Sequence, residues 1–341
     1  MAGRGSSCPE ARPVSMAEVA RAAGVSQQTV SRVVNGHPNV SERTRARVLD
    51  AIRELGFRPN FAGKSLRSGR YNSLGLCLYN VDQFGNLATI KGILSAAGEM
   101  GYAVTTLEMD DRVPLSLAEA TRRMIALPID ALVISMSIKA SDFEQFVPHP
   151  GISTVLLSMY EHPCCTTIDS DQYACSRLIM EHLTSRGHRE IRFVSGPLYS
   201  VDSVFRERGW RDELVARGLR VTEPLRGDWT ANSGYELGWQ IARDPDVTAV
   251  YAANDQMAVG VWEALADAGR RVPEDVSVVG VDDSLTRMMP HVRLTTVSFD
   301  LFARGRTAVE HALLGSAPGY QPVAIRIAPK LVERESVARA H

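Results

Sequence analysis

The chain has 341 residues, with 38 Lys and Arg against 39 Asp and Glu, 45% hydrophobic residues and five cysteines. That length exceeds one ordinary core, so two or three domains are expected, and the composition is that of a soluble globular protein. No apolar run reaches the roughly 18 residues of a membrane span. The start lacks the apolar segment of a signal peptide, and an odd cysteine count without a C-x-x-C pair argues for reduced thiols in a cytosol. At the vicinal pair Cys164-Cys165 a strained disulfide stays open beside the reading of two loop thiols.

The near-neutral total hides two unlike parts. Residues 1–70 hold 12 Lys and Arg against 5 Asp and Glu, while the remaining 271 residues hold 26 against 34. A basic head on an acidic body is the distribution expected of a DNA reader with a separate domain that does not touch DNA.

In chain order, residues 1–14 (MAGRGSSCPEARPV) read as a disordered leader. Residues 15–59 read as three short helices. Ser15-x-x-Glu18 is a capping box, after which Met16, Val19, Ala20 and Ala23 repeat at helical spacing until Gly24. Ser26 caps a second helix, Gln27 to Asn35, with Val30, Val33 and Val34 on one face and Gln27, Gln28, Ser31 and Arg32 on the other. A third helix follows Ser41, with Val48, Ile52 and Leu55 inward and Arg43, Arg45 and Arg47 outward; Arg45 is expected to contact phosphate. Two short helices joined by a Gly turn and buttressed by a third make a helix-turn-helix unit. The polar face of the second helix suits a DNA major groove, because Gln can bond adenine and Arg guanine in a bidentate way. The other reading is a small helical subdomain with a solvated Gln/Arg face, which leaves the charge distribution unexplained.

Residues 60–70 are short, basic and Gly-flanked after Arg58-Pro59-Asn60, where the proline ends the helical head. Alone the segment is too short for a stable helix. It reads either as a flexible linker or as a hinge that folds on DNA with Lys64, Arg67 and Arg70 near phosphates.

From Ser73 the period changes to apolar strands alternating with helices: SLGLCLY, a helix near 87–100, AVTTLEM, a helix near 115–127, DALVISMS, a helix near 141–146, STVLLSM and CTTIDSD. After Gln172 the alternation restarts with a helix to Arg186, IRFVSG, a helix near 203–217, a strand near 219–225, a helix near 232–243, TAVYAA, a helix near 256–268 and DVSVVGV. The fold class is therefore α/β, with two doubly wound parallel-sheet subdomains after the helix-turn-helix head. Such sheets bind ligands beyond the carboxyl ends of their strands. The polar and aromatic residues there are the site candidates: Asn80 and Phe84 after the first strand, Asp202, Arg206 and Trp210 after IRFVSG, Asn254-Asp255 after TAVYAA, and Asp282-Asp283 after DVSVVGV. Gly227-Asp228-Trp229 adds an aromatic face. Asp, Asn and Arg bond vicinal hydroxyls and an indole covers the apolar face of a sugar ring, so the mix reads as a saccharide site. On spacing alone, Asp282 could instead cap the following turn, Arg206 could be a surface ion-pair partner and Trp229 simple packing.

AEVARAAGVSQQTVSRVVNG, VSERTR and GFRPN resemble the DNA-binding head of the lactose/galactose repressor (LacI/GalR) family. GPLYSVDSVFRERGW, GDW, ANDQMAVG and SVVGVDDS resemble the sugar-binding core of its lactose-responsive members. The resemblance implies a periplasmic-binding-protein-like core, with 73–169 and a returning 297–335 as one subdomain and 170–296 as the other. It implies operator contacts from Ser26, Gln27, Gln28, Thr29, Ser31, Arg32 and Asn35. It also implies a hinge helix that contacts DNA through Asn60 and wedges Leu66 into a minor-groove base step. In the core it places Arg206, Asn254 and Asp282 on sugar hydroxyls, with Asp202 and Trp229 on other pocket positions. Ser158 stands where an acidic pocket residue is expected and Leu301 where an aromatic is expected, so the resemblance carries the saccharide class but not a particular sugar.

No Walker sequence, G-x-G-x-x-G after a strand, G-x-S-x-G or H-E-x-x-H is present, and nothing places a nucleophile beside a base. A sugar-binding or sugar-processing protein with an incidental basic head is the competing class. The expectation is a non-enzymatic, cytoplasmic transcriptional repressor with no cofactor and no metal. It binds a palindromic operator as a homodimer, away from any membrane, and responds to a small saccharide or glycoside. The chain ends at LVERESVARAH without a heptad run, so a dimer rather than a tetramer is expected.

Overall fold

The computed structural model describes residue 12 and residues 14–57, 69–79, 84–109 and 114–340, with the side chains of residues 84 and 85 excepted. The chain divides into two compact units, Met1–Tyr71 and Asn72–His341. Residues 1–11 and 13 of the expected leader and 60–68 of the expected hinge, including Asn60 and Leu66, lie outside the described residues.

In the first unit, α1 (Met16–Ala22), α2 (Gln27–Val34) and α3 (Glu42–Leu55) are each opened by a serine whose hydroxyl accepts a backbone N–H three residues on, and at Ser15 the Glu18 carboxylate completes the capping box. Such caps satisfy N–H groups that no helical carbonyl reaches. Val19, Ala20, Ala23, Val30, Val33, Val48, Ala51 and Phe57 fill the core. One expectation fails here and a second is narrowed. Leu55 is 37% exposed, because α3 ends at Gly56 and the reversed chain puts Phe57 into the core instead. Arg45 does not point free: it is half-buried and donates to the His37 carbonyl at 2.8 Å.

The second unit holds two six-stranded sheets. The first has the order β11-β5-β4-β3-β1-β2, all parallel, from β1 (Ser73–Leu78), β2 (Ala103–Glu108), β3 (Ala131–Ser135), β4 (Ser153–Leu157), β5 (Thr166–Ser170) and β11 (Ala324–Ile327). It is covered by α4 (Phe84–Glu99), α5 (Leu117–Ile125) and α10 (Leu301–Leu314). The second has the order β12-β10-β9-β8-β6-β7, from β6 (Ile191–Ser195), β7 (Leu225–Arg226), β8 (Ala249–Ala252), β9 (Ser277–Val281), β10 (Thr295–Ser298) and β12 (Lys330–Val332). Helices α6 (Gln172–Ser185), α7 (Val201–Ala216), α8 (Ala231–Ala242) and α9 (Asp255–Asp267) pack against it. The expected α/β architecture of two doubly wound subdomains is present. Strands buried on both faces explain why β1, β3, β8 and β9 read as unbroken apolar runs.

Three details differ from the sequence reading. The chain does not stay in the first subdomain from 297 to 335. Strand β10 still belongs to the second sheet, α10 and β11 return to the first, and β12 crosses again to pair antiparallel with β10. The tail then stays on the second sheet, because the buried Ser336 hydroxyl donates to the Val278 carbonyl and accepts the Thr295 N–H, and Ala338 N–H donates to Ser277 Oγ. The expected helix at 141–146 is a run of turns. Its Asp142 carboxylate accepts from the N–H groups of Leu117 and Ala118 and the Ser116 hydroxyl, so it serves the start of α5, while Phe143 and Phe146 bury their rings. The strand expected near 219–225 shrinks to Leu225–Arg226. The four described cysteines are free thiols, three of them buried, so no vicinal disulfide forms.

Candidate functional site

In the head, the outward face of α2 is made of exposed Gln27, Gln28 and Arg32, with Ser31 half-buried beside them. The sequence fold puts them there because Val30 and Val33, at helical spacing, take the core side. Ser26 is occupied as the cap: its Oγ accepts the Thr29 N–H at 3.1 Å and lies 3.0 Å from Thr29 Oγ1. Asn35 closes the helix, with Nδ2 donating to the Ser31 carbonyl at 2.7 Å and to the Ser31 hydroxyl at 3.3 Å. Of the seven α2-region candidates, then, Gln27, Gln28 and Arg32 hold uncommitted side chains, and Ser26, Thr29, Ser31 and Asn35 are engaged in shaping the helix.

In the core, a cavity of about 300 Å³ is lined from both subdomains. From the second come Asp202, Arg206, Trp229, Asn254 and Asp282, and from the first come Asn86, Ser135, Ser137, Leu157, Asp169, Leu301 and Arg304, among others. Its centre is Arg206 on α7, almost wholly buried. Its Nε donates to Gln172 Oε1 at 2.9 Å, a terminal nitrogen donates to the Ala253 carbonyl, and the other lies 3.5 Å from Asp282 Oδ1 and 4.0 Å from Asp202 Oδ2. The surface ion-pair reading of Arg206 is excluded by that burial. Removal from water pushes the Asp282 carboxyl upward, with Asp202 pushing the same way and the Arg206 and Arg304 guanidiniums opposing.

Asp282 and Asp283 both adopt left-handed backbone, φ 102° and 51°. Such conformations are costly for residues with a Cβ and gather at ligand clamps. The capping reading of Asp282 also fails: the Ser284 N–H that a cap would satisfy donates to Asp255 Oδ2 at 2.7 Å. Asp255 is thus the structural member. It accepts Ser284 N–H, Ser284 Oγ and Thr296 Oγ1, and burial lifts its carboxyl to about 7.

Trp229 also has a left-handed backbone, φ 75°, which turns its ring onto Gly196 and sets the Arg206 guanidinium 5.8 Å from the ring centroid. A Cβ at Gly196 would come within 2.3 Å of the indole, so only glycine leaves room for that ring. Asn254 caps α9, its Oδ1 accepting the Met257 N–H at 2.9 Å, while Nδ2 donates to the Trp229 carbonyl at 2.9 Å. It therefore locks the Trp229 loop to α9 as well as lining the cavity. Trp210 is fully buried core beside Phe193 and lines no site.

The first-subdomain wall differs more from expectation. Asn80 lies outside the described residues, and Phe84 opens α4 with its side chain outside the described set. Leu301 lines the cavity, whereas Ser158 is fully buried and points elsewhere, its Oγ accepting the Tyr160 N–H at 3.1 Å. Sequence reasoning missed Asp169, Gln172 and Arg304. Asp169 stands in CTTIDSD near the carboxyl end of its strand, the same kind of signal that singled out Asp282. Arg304, 135 residues further on, carries no local mark.

Comparison with known proteins agrees with this architecture. A model of the bacterial regulatory proteins of the lacI family matches residues 15–60, and a periplasmic binding protein-like domain matches residues 180–337. The lactose operon repressor of Escherichia coli (strain K12) is 31% identical over 304 residues, covering 89% of this chain and 84% of that one. A lac repressor dimer bound to operator and the anti-inducer ONPF superposes with a TM-score of 0.83 at 30% identity, over 96% of this chain and 100% of that one. A complex of the transcriptional regulator CelR with cellobiose gives a TM-score of 0.67 at 29% identity, over 95% and 100% of the two chains. This chain belongs to the lacI family of bacterial regulatory proteins.

Proposed function

We propose that this regulator is a cytoplasmic, nucleoid-associated repressor that binds a pseudo-palindromic operator as a homodimer. A small saccharide or glycoside held between the two core sheets changes its operator affinity and releases it. The observation that carries the reading is the constellation of Arg206, Asp282 and Trp229 in one cavity. A carboxylate and a guanidinium at fixed spacing bond adjacent hydroxyls, and an indole face covers the apolar side of a sugar ring. Among the relatives named above, CelR is bound to cellobiose and a lac repressor dimer to operator and an anti-inducer, and they are regulators rather than enzymes, which supports a core that acts by binding alone.

The head supplies the other half. Gln27, Gln28 and Arg32 read base edges, and Ser26, Thr29, Ser31 and Asn35 hold the reading helix in shape or meet the backbone. By the family resemblance, Asn60 contacts DNA and Leu66 wedges into the minor groove, and by their place after the first core strand Asn80 and Phe84 complete the first-subdomain wall of the pocket. A twofold operator calls for a twofold protein. The effector acts only through its differential affinity for two arrangements of the core. The segments that cross between the sheets bring Gln172, Phe299 and Leu301 to the cavity wall, which gives a ligand a direct grip on those connections.

A mobility-shift titration on fragments upstream of neighbouring genes, with and without a panel of neutral mono- and disaccharides, tests the reading. One sugar is expected to weaken a sequence-specific complex at fixed salt, and light scattering is expected to return a dimer. Binding that is equal on all fragments, or that no sugar changes, would count against the proposal.

A further inference from the structure

The cavity has a second buried ion pair, on its first-subdomain side. Asp169 sits at the end of β5, and its Oδ1 accepts from Arg304 at 2.7 Å and from the Ser170 N–H at 2.8 Å. Arg304 reaches it from α10 and also donates to Thr89 Oγ1 on α4, at 3.0 and 2.7 Å. The two helices touch backbone to backbone at that level: a Cβ on Gly305 would stand 2.2 Å from the Thr89 carbonyl oxygen. The arginine is therefore delivered by a tight helix pair, and its position is set by packing rather than by a flexible stem.

Asp169 Oδ2 accepts a hydrogen bond from no described residue, although Asp169 is almost wholly buried and lines the cavity. That oxygen is not among the fully enclosed polar atoms left without a partner, so it is reached from the cavity, where an ionised carboxylate oxygen keeps acceptor sites for a bound donor. Burial pushes its carboxyl upward and the neighbouring Asp202 adds to that, with Arg304 opposing. A purely structural role would be met as well by two apolar side chains.

The connection between the subdomains ties this pair to Arg206. The chain leaves the first sheet at Asp169–Ser170 and enters α6 at Gln172, whose side chain accepts from Arg206 Nε. Only two residues thus separate the anchor of one guanidinium from the anchor of the other.

We propose that Asp169 is a specificity-determining effector ligand: Arg304 fixes one carboxylate oxygen, and the other takes a hydrogen bond from a hydroxyl or ammonium donor at the end of the sugar away from Asp282. The proposal rests on the saccharide reading of the cavity. An effector so held spans both subdomains, with one end on the Asp169 side of the crossover and the other on the Arg206 side.

The test begins with calorimetric titration of the full chain with glucose, galactose, lactose, cellobiose, glucosamine and galactosamine. The tightest binder is then compared with its monodeoxy or deamino analogues, on wild type and on Asp169→Asn. In the wild type, loss of one particular donor is expected to weaken binding at least tenfold. In Asp169→Asn that analogue and the parent are expected to bind alike, while the penalties for the other positions persist. An amino sugar that outbinds its hydroxyl counterpart tenfold, with the preference lost in the variant, identifies the donor as an ammonium; equal binding identifies a hydroxyl. Because Asp169→Asn strands a buried guanidinium, the double variant Asp169→Asn/Arg304→Met is run beside it, and the same loss of discrimination is expected there. A variant that keeps the full analogue profile, or weakens every ligand by one common factor, overturns the proposal and leaves the saccharide reading standing. Failure of all six sugars to bind the wild type would sink the saccharide reading and this proposal together.

Discussion

The head and the core both carry arginine and amide side chains at their proposed sites, yet they prepare those groups in opposite ways. On α2, Gln27, Gln28 and Arg32 are exposed and uncommitted. In the core, Arg206 and Arg304 are buried and held in place by Gln172, Ala253, Thr89 and Asp169, with one terminal nitrogen of Arg206 lying 3.5 Å from Asp282. The difference follows from the partner. A DNA groove brings its own fixed array of donors and acceptors and tolerates side chains that order on contact, with the phosphates supplying most of the affinity. A small molecule has few contacts, so the groups that meet it must be held in place beforehand. The core should therefore be sensitive in stability as well as in function, and the head in function alone.

The largest expected effect is at Arg206. Arg206→Ala leaves Asp282 uncompensated in a buried site, a change of about 3–5 kcal/mol in stability, and removes the ligand response. Asp282→Asn should keep the fold and basal operator binding and lose the response. Urea unfolding and operator titration with and without saturating sugar separate the two. A normal ligand-induced change in Asp282→Asn would end its assignment to the site.

Next is a pH effect. Burial lifts the Asp255 carboxyl to about 7, far above its unfolded value. A group whose folded value is raised contributes stability at low pH and loses it as pH rises through the folded value. Between pH 4 and 7 the wild type should therefore lose stability relative to Asp255→Asn by on the order of 1 kcal/mol per pH unit. Thermal melts of both proteins across that range check it, and parallel curves would show that Asp255 is ionised throughout.

In the head, Gln28→Ala should cost about 1–3 kcal/mol on the preferred operator and relax selection at one base pair per half-site. It should leave the melting temperature nearly unchanged. Arg45 sharpens the contrast, because its guanidinium is committed to the His37 carbonyl. Arg45→Ala is expected to lower head stability as well as DNA affinity, and an effect on DNA alone would return it to the phosphate contacts. The smallest effect is at Asn254: Asn254→Ala loses the cap of α9, about 1 kcal/mol, and frees the Trp229 loop. Asn254→Asp keeps the cap acceptor, so a ligand response retained in Asp and lost in Ala would mark the residue as a loop anchor rather than a sugar ligand.

Local chemistry was enough to reveal most elements. Serine caps followed by apolar residues at helical spacing mark α1 to α3, and apolar runs between polar helices mark the two parallel sheets, because these patterns act over a few residues. Asn254 and Asp282 were legible for the same reason: each stands just after the carboxyl end of a strand, where such folds put their sites, and Arg206 lies in the early turns of a helix that follows another such strand. The failures all involve distant partners. Asp142 caps a helix 25 residues upstream instead of forming its own. Phe57 takes the core place that the spacing assigned to Leu55. Strand β12 leaves the first sheet for the second because Val332, Leu331 and Lys330 find Thr296, Val297 and Ser298 as ladder partners. The charge split, the helix-turn-helix head and the alternating core were thus determined by the sequence alone. Which Asp meets which Arg, and that Asp169 and Arg304 face the same cavity as Arg206, was decided only by the tertiary structure, since an ion pair depends on where two strand ends and two helices converge and not on the spacing of its members along the chain.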